Sequence, residues 1–523
     1  MKTWQRIVSA VLGVVGFVLK PITNCIFALI YERHARKVPP ITDSILLQSG
    51  TSLAKKIRKR EVTSEQVVET FINRIKVINP IVNAVVSERF EDALAEAREI
   101  DSIIGAGKLD ERYSEVNAPF LGVPFTTKEA FAVKGLSNSS GLKSRSTIIA
   151  DVDAPVIKNV RKAGGIPLCV TNVSELCMWW ESANTVYGRT GNPYNNSRIV
   201  GGSSGGEACT LSAAGSVIGV GSDIGGSIRL PSMFCGIFGH KPTFGIVNND
   251  GQYPNATAKE KDYLVTGPMC RYACDLKPML KILAGDKGAK LKLDQEEDIR
   301  KLRYFTMEDD GGDMLVNSVD SEIRATQREL VKKLTESLGV TVQPVQLSKL
   351  KYSLEMWEAK MSTCGGTTFC ELMGNGVPVN PYLEFIKWLV GLSNHTLPAI
   401  SLGMTEKLGR LFPEKQKKAI SICEKLKEEF QELLGDNGVL IYPTQPRVAP
   451  YHNQPLLMPF NFAYTGVFNV LGLPVTQCPV GLNSEGLPMG IQLVGSLYSD
   501  RLTIAVAQEV EKLMGGWQPQ IRG

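Results

Sequence analysis

Apolar residues in this chain gather in short continuous runs, not in long strict alternations. Phe120 to Thr126, Ile166 to Thr171 and Ser216 to Gly221 are such runs. Each is strand-length and lies against turn-forming residues, the pattern of a buried β-strand. Glu207 to Ala214 is rich in small helix-compatible residues, and Gly215 stands where a helix stops. Gly191 to Ile199 reads GNPYNNSRI, which is turn chemistry. The charge-rich stretch Lys287 to Leu350 predicts an amphipathic surface helix, capped by Ser318 or Asp320 and running to Leu338. Within Pro381 to Pro413, Tyr382, Phe385, Ile386, Trp388, Leu389 and Leu392 recur at helical spacing. Packing of that helix on the core is the default expectation.

The N-terminus has a different pattern. Ile7 to Leu19 is thirteen uncharged, mostly apolar residues behind a short basic start. Lys20-Pro21 interrupts, Ile22 to Tyr31 resumes, and Glu32 to Lys37 ends the run. The first run is shorter than the ~20 residues that a span needs. Ile7 to Tyr31 together predicts an uncleaved anchor, either crossing with Lys20 buried or snorkelling, or lying as a hairpin in one leaflet. A cleaved signal peptide is the rival, but no small-x-small site closes the segment. Residues 1–37 are therefore set apart as a hydrophobic membrane anchor. No linker rich in Ser, Pro or charge falls between Ser44 and Trp517, so 38–523 is read as one large domain. The positive-inside bias slightly favours a cytosolic body. The sequons at Asn138, Asn172, Asn195, Asn255 and Asn394 leave the side of the membrane open.

Composition narrows the classes. A chain of 523 residues with 43% hydrophobic content can bury a large core. The net charge of +5 is modest and dispersed, and no basic-aromatic motif speaks for nucleic acid. Eleven cysteines carry no metal-ligand spacing: Cys270 and Cys274 are four apart, without a second pair. No metal and no cofactor are expected. An odd count also argues against a full disulfide framework.

The chemistry concentrates in Val200 to Pro242. This stretch holds two glycine-framed serines, Ser203 and Ser227, with Asp223 just before the second. Gly202-Ser203-Ser204-Gly205-Gly206 matches the G-x-S-x-G elbow, but that motif needs a strand before it and a later acid and histidine. Turn residues precede it instead, and none of His34, His240, His395 and His452 has a site-like context. A helix from Ser203 and a strand running back have legs of similar length, roughly 15–23 Å. Ser227 therefore lands near the helix N-terminus that carries Ser203. The plainer reading makes these serines helix caps and the glycines turns. Lys128 stands just past the apolar run Phe120 to Thr126. An ordinary surface lysine is the plainer reading, but α/β proteins place their sites there, so Lys128 is the candidate base. Burial favours its neutral form, and Ser–Lys pairs are an established alternative to Ser–His–Asp.

Lys128, GGSSGGE and DIGGSIRLPSMFCGIFGHKP, with GLPMGIQLVG near the C-terminus, resemble the amidase signature family over Ser44 to Trp517. Within it the chain is similar to the membrane-anchored fatty-acid amide hydrolases. The resemblance implies an α/β fold with a central mixed twisted β-sheet surrounded by α-helices, joined to the N-terminal membrane segment. It implies Ser227 as nucleophile, Ser203 as a bridging serine with a cis peptide, and Lys128 as base. It gives the oxyanion hole to the backbone N–H groups of Ile224, Gly225, Gly226 and Ser227, with Ser204, Asp223 and Arg229 in support. Cys177 is implied as a backbone contributor near Ser227 and Met178 as a wall of the acyl site. Glu129 departs from the Asp of many relatives. Pro381 to Pro413 becomes an alternative membrane cap admitting acyl chains. A fatty-acid amide substrate and membrane lipid are the expected partners, a homodimer the candidate assembly, and endoplasmic reticulum or lipid droplet the expected location. The rivals are a glutamine amidotransferase subunit, which the hydrophobic N-terminus speaks against, and an inactive lipid-binding protein, which the three intact residues speak against.

Overall fold

The computed structural model describes residues 22–406 and 411–520. Its strands are β1 (Val85–Glu88), β2 (Pro124–Lys128), β3 (Ile166–Thr171), β4 (Ala183–Asn184), β5 (Gly188–Arg189), β6 (Ile218–Asp223), β7 (Phe238–Lys241), β8 (Val265–Cys270), β9 (Arg303–Thr306), β10 (Val342–Pro344), β11 (Gly438–Pro443), β12 (Val475–Leu482) and β13 (Pro488–Gly495). Eleven form one sheet in the order β1-β3-β2-β6-β8-β7-β12-β13-β11-β9-β10, while β4 and β5 pair separately. The sheet is mixed. β2 is parallel to β3 and β6, and β9 to β10 and β11. The other neighbours are antiparallel.

Helices surround this sheet, among them Ser64–Val82, Ser321–Leu338, Pro413–Leu434 and Asp500–Met514. Every residue of β2, β3, β6 and β8 is buried. That two-sided burial is why the apolar runs are continuous. Because β2, β3 and β6 are parallel, Lys128, Thr171 and Asp223 finish at one edge.

Strand positions differ from expectation in one consistent direction. Phe120 to Val123 is a buried turn, with Gly122 at φ +74° and Val123 N bonded to Phe120 O at 3.0 Å. β2 starts at Pro124 and continues through Thr126, Thr127 and Lys128, all buried. β6 likewise runs on through Ser222 to Asp223. Hydrogen-bonded polar side chains extend both strands toward the site. The helix expected from Glu207 begins at Gly205 and ends at Ser212.

In the charge-rich middle, Asp320 is the N-cap of Ser321–Leu338, and Gly339 at φ +70° ends that helix. This region also supplies β9 and β10, which complete the far edge of the sheet. The stretch beginning at Pro381 forms two helices, Pro381–Leu389 and Leu397–Thr405. Most of its apolar positions face outward: Tyr382, Leu383, Ile386, Leu389 and Leu392 are at least half exposed, which contradicts simple packing on the core. Residues 22–31 are helical, whereas Ile7 to Leu19 lies outside the described residues. Among the described residues, no helix is long and apolar enough to cross a membrane.

Candidate active site

Lys128 closes β2 with its side chain fully inside the protein. Its Nζ lies 2.7 Å from Ser203 Oγ and 3.1 Å from Ser222 Oγ. Burial lowers its pKa from the ordinary 10.5, while the Cys177 thiol and the Asp223 carboxylate work the other way. The amine is thus biased toward the neutral form that a base needs.

Two glycines place Ser203. A Cβ on Gly201, whose φ is +82°, would stand 2.6 Å from Pro231 Cα. One on Gly202 would stand 2.5 Å from Trp179 O. These glycines therefore permit close backbone contact as well as a turn. The Gly202–Ser203 peptide is cis. The next residue, Ser204, precedes the helix Gly205–Ser212, but its side chain makes no capping bond. Its N–H instead donates to Ser227 O at 3.2 Å, and its Oγ to Ser222 O at 3.4 Å. The two serine loops are therefore joined, as the leg lengths require.

The loop after β6 presents its peptide groups in an ordered way. Asp223 O accepts from Asn469 Nδ2 at 2.9 Å, Ile224 O from Trp357 Nε1 at 2.9 Å, and Gly226 O from Leu230 N at 2.8 Å. In a trans peptide the N–H points opposite to its C=O. Those three anchors turn the N–H groups of Ile224, Gly225 and Ser227 the other way. Among the described residues these three N–H groups have no protein acceptor. From Ser197 to Thr243, only Ile224, Gly225 and Ser227 are not fully buried. A patch of free donors beside a serine thus reaches the surface of an otherwise closed segment.

One expectation needs correction. The Gly226 N–H is not a free donor, because it donates to Asp223 Oδ1 at 2.7 Å. The Asp223 carboxylate faces the start of the helix Arg229–Phe234, and this N–H lies in its path. The Cys177 N–H is likewise engaged, donating to Ser174 O at 2.9 Å. It is the Cys177 side chain that lies beside Lys128.

Asp223 and Arg229 form a fully buried ion pair, with Nε and Nη2 reaching Oδ2 and Oδ1 at 3.0 and 2.9 Å. Arg229 also donates to Gln492 Oε1 and Asn469 Oδ1. Burial alone would raise the Asp223 carboxyl, but the Arg229 charge and hydrogen bonds hold it down at about 2. The pair fixes the loop because all its polar atoms are engaged in a region closed to water.

The other wall is the turn Glu175–Cys177, in which Leu176 and Cys177 have φ of +53° and +59°. Leu176 N donates to Ser140 O, and Glu175 accepts from His395 Nδ1 and Thr396 N. Met178 packs with Leu176, Leu142, Phe369, Met373 and Ile400, an apolar cluster between this turn and the helices after Pro381. Glu129, buried, accepts from Ser139 N, Ser140 N and Tyr187 Oη and so holds the neighbouring loop. Sequence reading missed Ser222, Trp357, Asn469 and Glu207. Glu207 ends the GGSSGGE run and Ser222 stands just before Asp223, so both lay within the motif stretch without a role read for them. Among the described residues, no serine hydroxyl bonds the ring of His240, His395 or His452, whose side-chain partners include Asp500, Glu175 and Glu181. Among the described residues, no cluster of three or more His, Cys, Asp or Glu is placed to hold a metal ion.

A mixed sheet with a buried lysine, two joined serine loops and free N–H donors fits an amidase. The chain belongs to the amidase family, whose model matches residues 66–504. It is 50% identical over 519 residues to fatty-acid amide hydrolase 2 of Homo sapiens, covering 98% of both chains. It is 50% identical over 496 residues to fatty-acid amide hydrolase 2-A of Danio rerio, covering 93% of this chain and 92% of that one. A solved structure described as fatty acid amide hydrolase superposes with a TM-score of 0.72 at 22% identity, over 91% of this chain and 86% of the other, a likeness of fold. This chain is an amide-hydrolysing enzyme of the amidase signature family.

Proposed function

We propose that the chain hydrolyses fatty-acid amides, both primary amides such as oleamide and N-acylethanolamines such as anandamide, through Lys128, Ser203 and Ser227. The 2.7 Å contact between Lys128 Nζ and Ser203 Oγ carries this reading. Neutral Lys128 takes the proton of Ser203, Ser203 takes that of Ser227, and Ser227 Oγ attacks the amide carbonyl. The oxyanion is met by the N–H groups of Ile224, Gly225 and Ser227, donors worth ~2.7–4 kcal/mol each in comparable sites. Protonated Lys128 returns a proton through Ser203 to the leaving nitrogen, which is too basic to depart as an anion. Water then releases the fatty acid from the acyl-enzyme.

The substrate class is supported by the 50% identity to two fatty-acid amide hydrolases and by the apolar cluster around Met178. Membrane association is supported by two exposed apolar surfaces. One is the helix from Pro381; the other is the stripe Ile22, Ile26, Leu29 and Ile30 on the helix 22–31. Exposed apolar surface of this kind suits the boundary of a bilayer. Residues 1–37 act as the anchor and 38–523 as the catalytic body, on endoplasmic reticulum or lipid-droplet membranes.

The deciding experiment is hydrolysis of oleamide and anandamide by the purified chain beside Ser227→Ala. The variant is expected to lose turnover and fluorophosphonate labelling together. Labelling that persists moves the nucleophile elsewhere, and a wild-type chain inert on both amides removes the substrate class.

A further inference from the structure

The helix 22–31 is seated on the body by its polar face. Gln454 Nε2 donates to Asn24 Oδ1 at 2.6 Å, and Asn453 Nδ2 to Tyr31 Oη at 2.6 Å. Just beyond the helix, Tyr451 Oη donates to Glu32 Oε1 at 2.5 Å, and Arg36 N to Asn196 Oδ1 at 2.6 Å. The Tyr31 ring also meets the His452 ring edge-on, 5.7 Å between centroids. The seat is therefore the short segment from Tyr451 to Gln454.

That segment is bonded on its other side to one buried carboxylate. Glu181 accepts from His452 Nδ1 and from Asn453 N, both at 2.9 Å, and lies 3.1 Å from Arg189 Nε. Arg189 Nη2 in turn donates to Asn453 Oδ1 at 2.9 Å. A carboxylate this buried is stable only while such partners stay in place.

From Glu181 the path enters the catalytic loop. Ser182 N and Oγ both donate to Gly201 O, at 3.1 and 2.9 Å, and Ser182 Oγ accepts from Gly205 N at 3.0 Å. Ser203 lies inside the span so clamped. A Cβ on Gly202 would stand within 3.1 Å of Trp179 O, Trp180 C and Glu181 N, so no space separates this backbone from Ser203's neighbour. Displacement of Glu181 is passed directly to Ser203, whose 2.7 Å contact with Lys128 tolerates little.

We propose that Tyr31 and Glu181 are positioning residues for catalysis: the seated N-terminal helix sets the Ser203 loop through His452, Asn453 and Glu181. Its exposed apolar stripe meets the membrane while the opposite face holds the Ser203 loop in register, so attachment and catalytic geometry are coupled. The inference rests on the Lys128–Ser203–Ser227 reading.

The test uses the full chain in detergent and reads the rate at which a fluorophosphonate modifies Ser227, with kcat and KM on oleamide and the melting temperature beside it. Tyr31→Ala is expected to slow modification and lower kcat on the order of tenfold, with KM and melting temperature unchanged. Tyr31→Phe keeps the ring contact with His452 and is expected to retain part of the rate. Cys25→Ser, at an exposed position of the same helix, is expected to match wild type. Equal rates for Tyr31→Ala and wild type overturn the coupling, as does an equal loss in Cys25→Ser. Modification that survives in Ser227→Ala identifies a failure of the nucleophile assignment, not of the coupling.

Discussion

Glu207 offers a test of how closed the region beneath the serine loops is. It sits in the first turn of the helix Gly205–Ser212, fully buried. Its carboxyl receives Thr126 Oγ1 at 2.5 Å and Thr171 Oγ1 at 2.8 Å. It is pressed so closely on β6 that a Cβ on Gly219 would fall 1.9 Å from Oε1. Burial pushes the carboxyl from the ordinary 4.5 up to about 8, against the two threonine hydrogen bonds, which lower it. Above pH 4.5 the unfolded chain has lost this proton while the folded protein keeps it. Stability from this group is therefore complete below pH 4.5 and is lost as pH rises toward 8. The slope is about 1.4 kcal/mol per pH unit and the total about 5 kcal/mol. Glu207→Gln keeps the shape and both threonine contacts but does not titrate. Its urea midpoint, followed by tryptophan fluorescence, is expected to draw steadily ahead of wild type between pH 4.5 and 8. Asp310 and Glu511, raised to about 6 and about 7, slope the same way in both proteins, so the difference isolates Glu207. Parallel midpoint curves across that range would refute the reasoning, because they require a carboxyl that titrates alike in both states.

Three further outcomes follow from the site. Lys128→Ala is expected to cut kcat/KM at neutral pH on the order of 10²–10⁴. In wild type kcat/KM should fall with acid, with an inflection below lysine's ordinary 10.5, because protonated Lys128 cannot take the Ser203 proton; near-normal rates in the variant remove lysine from the base role. Trp357→Phe releases Ile224 O and is expected to lower kcat about two- to tenfold, the worth of one net hydrogen bond, with KM unchanged. A raised KM with intact kcat would make Trp357 a substrate contact instead. The double variant Ile386→Ser and Leu389→Ser is expected to weaken vesicle binding and raise KM for oleamide dispersed in vesicles, while sparing kcat. Unchanged binding and KM would show that the helix from Pro381 does not meet the membrane.

The sequence was most informative where the chain itself brings its chemistry together. Ser203, Asp223 and Ser227 lie in one segment, and the matched helix and strand lengths suffice to predict that its two loops meet. Lys128 was legible because an apolar run ends beside it. Both strands were nevertheless read short of the site, since the run reads as a strand only while its residues are apolar. Thr127, Ser222 and Asp223 continue the strands because their polar atoms find buried partners, information held by Val220, Lys128 and Arg229, not by the run.

The same limit explains the loop after β6. A glycine pair shows that N–H groups can be turned toward a substrate, but not which way they face. Direction comes from the far ends of the carbonyls, held by Trp357 and Asn469 more than a hundred residues later in the chain. The intervening sheet order explains how they arrive: β6, β8, β7 and β12 are successive neighbours, and the helix Ala463–Leu471 enters β12 from the side of this loop. Gly226 was assigned to the wrong set for the converse reason. Asp223 is close in sequence, but whether its carboxylate faces solvent or the next turn depends on Arg229, and Arg229 is held by Gln492 and Asn469. The Ser227 loop is thus written in the first half of the chain and aimed by the second, so variants at Asn469 or Trp357 should change catalysis without touching a motif residue.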